Sequence, residues 1–319
     1  MTDKTSKKTF AAFWALILSI FGWGSAPVFI RWLGDAYDPY SQAFIRYASA
    51  AVVLTVICSV GYRQEFLKIL RNPRGVWGIA LITMFLQTFW TLGCLKTSSA
   101  TVAQLISKLS IVLVIPMGYV MFREERTVIK NPSYLFGTLL SLVGLAAVVS
   151  RDGDLLTFQF DMGTGYLILA AILWAVYTVW ARHIALGVHP LPMFTVMAIF
   201  VTVGLGVVSL LMGSPKTLIS AGAPTAGLAF VSGMFPIALA HPCFHYAQRH
   251  LGSAFCSSMN LINPLATFLF SLVILPNEKL LLHQWVGAAL LLGGTFLVAR
   301  ASHGLTEENP ISLENRGKT

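Results

Sequence analysis

The residues of this 319-residue chain that could do chemistry are few, and most stand inside long apolar runs. Lys108 lies near the centre of one run and Arg46 about five residues into another. No Asp or Glu falls in the interior of any run. A charge held at the centre of a bilayer costs about 3 kcal/mol or more, so each such residue is a candidate for handling a charged solute. Lys108 shares a helical face with Thr101, Gln104 and Ser107. In a later run Ser253, Ser257, Asn260, Asn263 and Thr267 recur at three- and four-residue steps. Two polar stripes facing one another would line a cavity in which Lys108 is the counter-charge of an anionic group. The structural alternative has Lys108 capping backbone carbonyls and the stripes hydrogen-bonding between helices.

His241 and His245 stand four apart, on one helical face, with Pro242 between them and Gln248 a turn beyond. Two intramembrane histidines could couple transport to protons, or serve as neutral hydrogen-bonding groups along a pore. A metal would need further ligands, and no carboxylate is near in sequence, so no metal is expected. Gln87 and Thr91 form another polar face, with Trp90 beside them. Trp174 and Tyr177 lie mid-run, and Tyr177 is the aromatic expected to line a cavity. Pro264, flanked by asparagine, can leave carbonyls free beside Asn260 and Asn263, whereas Pro116 reads as a kink. Cys58, Cys94, Cys243 and Cys256 show no CxxC spacing and read as packing residues.

The elements that must position these groups are membrane helices. A hydrophobic content of 56%, a charged content of 11% and a mean hydropathy of +0.72 exclude an ordinary soluble domain. Runs long enough to span hydrocarbon cover 11–33, 41–62, 75–95, 100–122, 133–150, 163–186, 191–212, 225–247, 253–275 and 282–300. The first is too long for a cleaved signal peptide. The chain is also written twice. Trp23 and Arg31 recur 151 residues later as Trp174 and Arg182, and Glu125-Arg126 recurs 153 residues later as Glu278-Lys279. A repeat of five spans, an odd number, enters the membrane the opposite way round in its second copy.

The expected fold is therefore all-α and polytopic, with ten transmembrane helices as two inverted-topology five-helix repeats. The repeats cover 11–150 and 163–300, joined by a polar linker at 151–162. Segments 1–10 and 301–319 are cytoplasmic, the latter expected to be disordered. With both termini inside, only Arg31, Lys96, Arg151, Lys216 and Lys279 of the 22 basic residues fall outside, two lie within spans, and the rest fall inside. The net charge of +9 then reflects topology and anionic lipid, not nucleic acid. Gly22, Gly24, Gly137, Ser141, Ala289 and Gly293 are the expected close helix contacts. No nucleophile–base set and no phosphate-cradling glycine loop appears, so neither an enzyme nor direct ATP drive is expected, and no cofactor is.

The segments FGWGSAPVFIRW (21–32) and ILWAVYTVWAR (172–182) resemble matching places in the drug/metabolite transporter superfamily, specifically its EamA-type permeases. So do FREERT (122–127), LPNEKL (275–280) and the glycine-rich last helix WVGAALLLGGTFLVA (285–299). The resemblance covers about residues 10–300. It implies alternating access to a central cavity, a plasma (inner) membrane location and, in many members, export of amino acids or other metabolites. Because the cations Lys108 and Arg46 stand in the spans without a carboxylate, a small organic anion or amino acid is the expected solute. A multidrug or cationic-compound exporter is the alternative. An intramembrane enzyme and a channel are the remote ones.

Overall fold

The computed structural model describes residues 2–113, 131–149, 161–184, 189–251, 256, 259–275, 277 and 279–307, and among them every regular element is helical. The first half contributes α1 (Thr2–Trp32), α2 (Pro39–Gly61), α3 (Arg63–Arg71), α4 (Arg74–Lys96), α5 (Ala100–Ser107) and α6 (Pro132–Val149). The second contributes α7 (Met162–Ile184), α8 (Pro190–Met212), α9 (Gly222–Gly233), α10 (Ala240–Leu251), α11 (Asn263–Ile274) and α12 (Leu282–Glu307). Five stretches are long and apolar enough to cross a membrane: Lys8–Asp35, Pro39–Gly61, Arg74–Lys96, Pro190–Met212 and Gly222–Ala247. Shorter apolar stretches lie at Ala100–Leu113, Pro132–Val148, Met162–Thr178, Asn260–Ile274 and Leu282–Val298. Pro116, Glu125, Glu278, Ser253, Ser257, the side chains of Arg182 and Gln248, and most of the linker lie outside the described residues.

Local chemistry sets the helix ends. Asp38 caps α2, its carboxylate accepting the N–H groups of Tyr40 and Ser41 at 3.0 and 3.1 Å. Pro39 follows at the first helical position, where a missing N–H is harmless. The start of α8 repeats this 151 residues later, with His189 as cap and Pro190 next. Inside the apolar helices hydroxyls bond back to their own turn, as Ser19 does to the Leu16 carbonyl and Thr83 to that of Ile79.

Burial alone would raise the Asp38 carboxyl, but donors from Ser41, Ser214 and Tyr40 outweigh it and hold the group below the usual 3.8. A depressed folded-state value means its stabilisation is fully present above the unfolded value and is lost as pH falls through the folded one. The melting-temperature gap between wild type and Asp38→Asn is therefore expected to stay constant from pH 8 to about 5 and to close only below about pH 4. A gap that closes near neutrality would contradict this assignment.

The two halves pack by exchange. α1 lies against α10 and α11, and its counterpart α7 lies against α4 and α5. α2 pairs with its own counterpart α8, α6 with α12, and α5 with α11. The counterparts run antiparallel. Ser41 near the start of α2 meets Ser209 near the end of α8, and Cys58 near the end of α2 meets Thr195 near the start of α8. Exposed valines repeat as well: Val52 and Val56 are 61% and 60% exposed, and Val203 and Val207, 151 residues later, 61% and 51%. A wide exposed apolar face is the surface a lipid tail covers.

Small residues bring backbones together where the sequence expects it at four of six places. A Cβ on Gly24 would stand 2.7 Å from the Ala266 Cβ, and one on Gly22 would stand 2.7 Å from that of Ala240. Gly137 and Ser141 both meet Gly294. Ala289 and Gly293 do not take part: Ala289 is exposed and Gly293 has nothing within 4 Å. Gly287 and Gly294 replace them, because residues seven apart lie on one face and that face of α12 turns toward α6.

Three expected continuous helices are interrupted. Lys108 is a turn residue between α5 and the helical stretch Leu109–Leu113. A π turn, Met234–Leu239, contains Pro236 and separates α9 from α10. A 3-10 turn, Asn260–Ile262, precedes α11, which has Pro264 in its first turn. Lys108 and Asn260 are 152 residues apart, so two of these breaks fall at equivalent places of the repeat. α3, between two of the expected spans, is an amphipathic helix that buries Phe66 and exposes Arg63, Lys68 and Arg71.

Candidate transport site

The repeated tryptophans meet. The rings of Trp23 and Trp174 lie 5.9 Å apart at 88°. His241 sits 5.0 Å from Trp23 and 6.2 Å from Trp174, and it stacks on Phe194 of α8 at 4.6 Å. Phe244 packs on Trp23 at 4.8 Å and Tyr177 on Trp174 at 5.5 Å. Three helices, α1, α7 and α8, thereby box the imidazole carried by α10 with aromatic faces and edges.

Next to this box lies a polar cluster on α2 and α4. The Tyr47 hydroxyl stands beside Gln87 and within electrostatic reach of Arg46 and Tyr177. Arg46 is 2% exposed and lies by Cys94 and Tyr47. Lys108 is 8% exposed, at the break after α5. At 1.5 Å per residue, Arg46 is about 10 Å into α2 and Lys108 about 12 Å from the start of α5. Neither side chain has a hydrogen bond or ion pair with any described residue, and the Nε of Arg46 is fully enclosed without one.

Two buried acceptors are also unsatisfied. The amide oxygens of Asn260 and Asn263 are enclosed and unpartnered among the described residues. In 3-10 geometry side chains three apart eclipse, so the two amides share a face at the helix break. Thr267 fixes this region to α1 by donating to the Gly24 carbonyl at 2.7 Å. Thr101 and Gln104 are buried on α5, each 4% exposed. His245 is half-buried beside Phe244, near enough to His241 for the two to interact electrostatically. Among the described residues no group of three or more His, Cys, Asp or Glu could hold a metal ion, and the four cysteines form no disulfide.

The sequence flagged Trp174 and Tyr177 but gave no functional weight to Tyr47, Phe194 or Phe244. Their types and spacing match ordinary core positions, and only the packing of α2, α8 and α10 brings them to the box. Trp180, on the same helix as Trp174, is 42% exposed and lies outside the box. Arg31, half of the repeated pair, serves the structure. It donates to the carbonyls of Cys94 and Thr97 at 2.8 Å and of Ser98 at 3.4 Å, closing the end of α4. Arg31→Gln is expected to cost about 1–2 kcal/mol of stability without changing solute affinity, as a melt and a binding titration on one preparation would show.

The family profile of the EamA-like transporters matches residues 9–150 and 161–300, once on each half. The chain belongs to the EamA-like transporter family. Among its relatives, an uncharacterized transporter of Archaeoglobus fulgidus is 26% identical over 303 residues, 90% of this chain and 97% of that protein. An uncharacterized transporter of Haemophilus influenzae is 22% identical over 163 residues, 49% of this chain, and the match spans about half of its length, 54%. A solved crystal structure shares the fold of this EamA-like transporter, with a TM-score of 0.64 over 96% of this chain and 99% of that one at 19% identity. The two profile matches coincide with the two halves that pack by exchange. Membrane embedding and a small-molecule solute come with the family.

Proposed function

We propose that this EamA-like transporter is a secondary transporter of small organic anions, amino acids first among them, working as an exporter or exchanger. Its ten helical stretches cross the plasma (inner) membrane as two inverted five-helix repeats with both termini in the cytoplasm. Access to the region between the Trp23–Trp174 pair and the Lys108 break alternates between the two sides. The observation that carries the solute class is the pair of buried cations. Arg46 and Lys108 lack a counter-charge among the described residues, and a desolvated cation held open for a solute recovers its lost hydration only when an anion arrives. The unpartnered amide oxygens of Asn260 and Asn263 would accept from an N–H group of the same solute.

A second reading, export of hydrophobic cations, draws support from the aromatic box of Trp23, Trp174 and Phe194, since aromatic faces attract cations. A thermal-shift screen of purified protein against metabolites and cationic drugs separates the two, because a ligand of the folded state raises the melting temperature. Stabilisation by carboxylates or phosphates that vanishes in Lys108→Ala supports the anion reading. Stabilisation by cations alone, unchanged in that variant, replaces it with the drug reading.

A further inference from the structure

The antiparallel pair α2–α8 is clasped at both ends, and the clasps are equivalents under the repeat. At one end the Asp38 carboxylate, besides capping α2, accepts the Ser214 N–H at 3.0 Å and the Thr217 hydroxyl at 3.4 Å, just past the end of α8. One turn inward the hydroxyls of Ser41 and Ser209 bond at 2.8 Å. At the other end His189, 151 residues after Asp38, lies 4.6 Å from the ring of Tyr62, just past the end of α2. One turn inward from there Cys58, the counterpart of Ser209, meets the Thr195 hydroxyl at 3.0 Å. Each clasp joins the first half of the chain to the second.

The two ends differ in strength. Asp38 offers a carboxylate to several donors, and charge-assisted bonds are roughly twice as strong as neutral ones. The His189 end has a tilted ring contact and a thiol–hydroxyl contact, both weaker. Two helices that cross antiparallel and rock about their middle spread at one end while the other stays closed. Opening therefore releases one of the two clasps that this structure holds together, and the two open states compete.

We propose that these clasps are the two latches of alternating access, and that Asp38 biases the solute-free protein toward the state closed at its own end. The inference rests on the transporter reading but not on the solute class. Repeat-equivalent reporters test it in the full-length protein in lipid nanodiscs with no solute added. The native Cys58 thiol reports the His189 end, and Ser209→Cys reports the Asp38 end. Maleimide labelling with peptide mapping gives a rate at each site and reads the other cysteines separately.

Asp38→Ala is expected to speed labelling at position 209 about tenfold, the equilibrium effect of one or two such bonds, and to slow it at Cys58. His189→Ala is expected to do the reverse. Thr217→Val leaves the α2 cap in place and is expected to move both rates as Asp38→Ala does, by less; it carries the test if the cap variant does not fold. Rates that rise together, or a Cys58 rate that ignores Asp38 and Thr217, would mean simple loosening and overturn the proposal. Reciprocal rates with no stabilisation by any anion would retire the solute reading and leave the latches standing.

Discussion

Lys108→Met is expected to weaken binding of a carboxylate-bearing solute by about a hundredfold and, in the same preparation, to raise the melting temperature by a few degrees. The two effects have one cause. The Lys108 side chain is buried at a helix break without an ion pair or hydrogen bond among the described residues. The solute-free protein therefore bears the cost of holding a cation away from water, on the order of 3 kcal/mol. A methionine of similar volume removes that cost and fills the same space. It also removes the partner that an incoming carboxylate would find, and losing one side of a desolvated charge pair costs about as much again. An ordinary packing lysine would show the opposite coupling, with stability falling and affinity unchanged. Calorimetric titration and a melt on wild type and variant decide the matter, and unaltered affinity in the variant would remove Lys108 from the site.

Gly144→Leu is expected to abolish the folded state, while Gly293→Leu leaves it nearly untouched. Both glycines lie in the pair of helices formed by α6 and α12, and of the two only Gly293 is expected from the sequence to be a close contact. A Cβ on Gly144 would stand 2.7 Å from the Gly287 carbonyl and 2.8 Å from the Leu291 Cα, backbone atoms that cannot rotate away. Separating the helices to admit a leucine would undo the contacts of Gly137, Ser141, Gly287 and Gly294 together. The expected loss exceeds about 4 kcal/mol, the range reserved for core disruption. Gly293 faces open space, so its leucine meets lipid and costs less than about 0.5 kcal/mol. Size-exclusion profiles and melts of the two variants would show the contrast, and equal behaviour would mean that α6 and α12 do not pack as described.

Much of the architecture was legible from residue types because a bilayer constrains sequence so strongly. Apolar runs of spanning length, charges confined to their ends and the 151-residue recurrence of Trp23 and Arg31 sufficed to locate the helical stretches, the repeat and the family. The same reasoning found the unusual cations, since a charge inside such a run stands out against its neighbours. It did not distinguish the two members of the repeated pair. Trp23 meets Trp174 at the centre, whereas Arg31 closes the end of α4, and nothing in the spacing of eight residues separates those roles.

Sequence determined what kind of molecule this is: an all-helical chain written twice, apolar over most of its length, with two cations and two asparagines where hydrocarbon would reject them. Tertiary structure decided which of these groups share a place. The aromatic box around His241 draws on helices from both halves, the breaks at Lys108 and Asn260 interrupt runs that read as continuous, and Asp38 reaches across to Ser214 and Thr217. Hydrophobicity and helix period are properties of one segment and are written in it. Contacts between segments more than a hundred residues apart depend on how the helices cross, and crossing is set by the fit of small and large side chains summed over every interface at once.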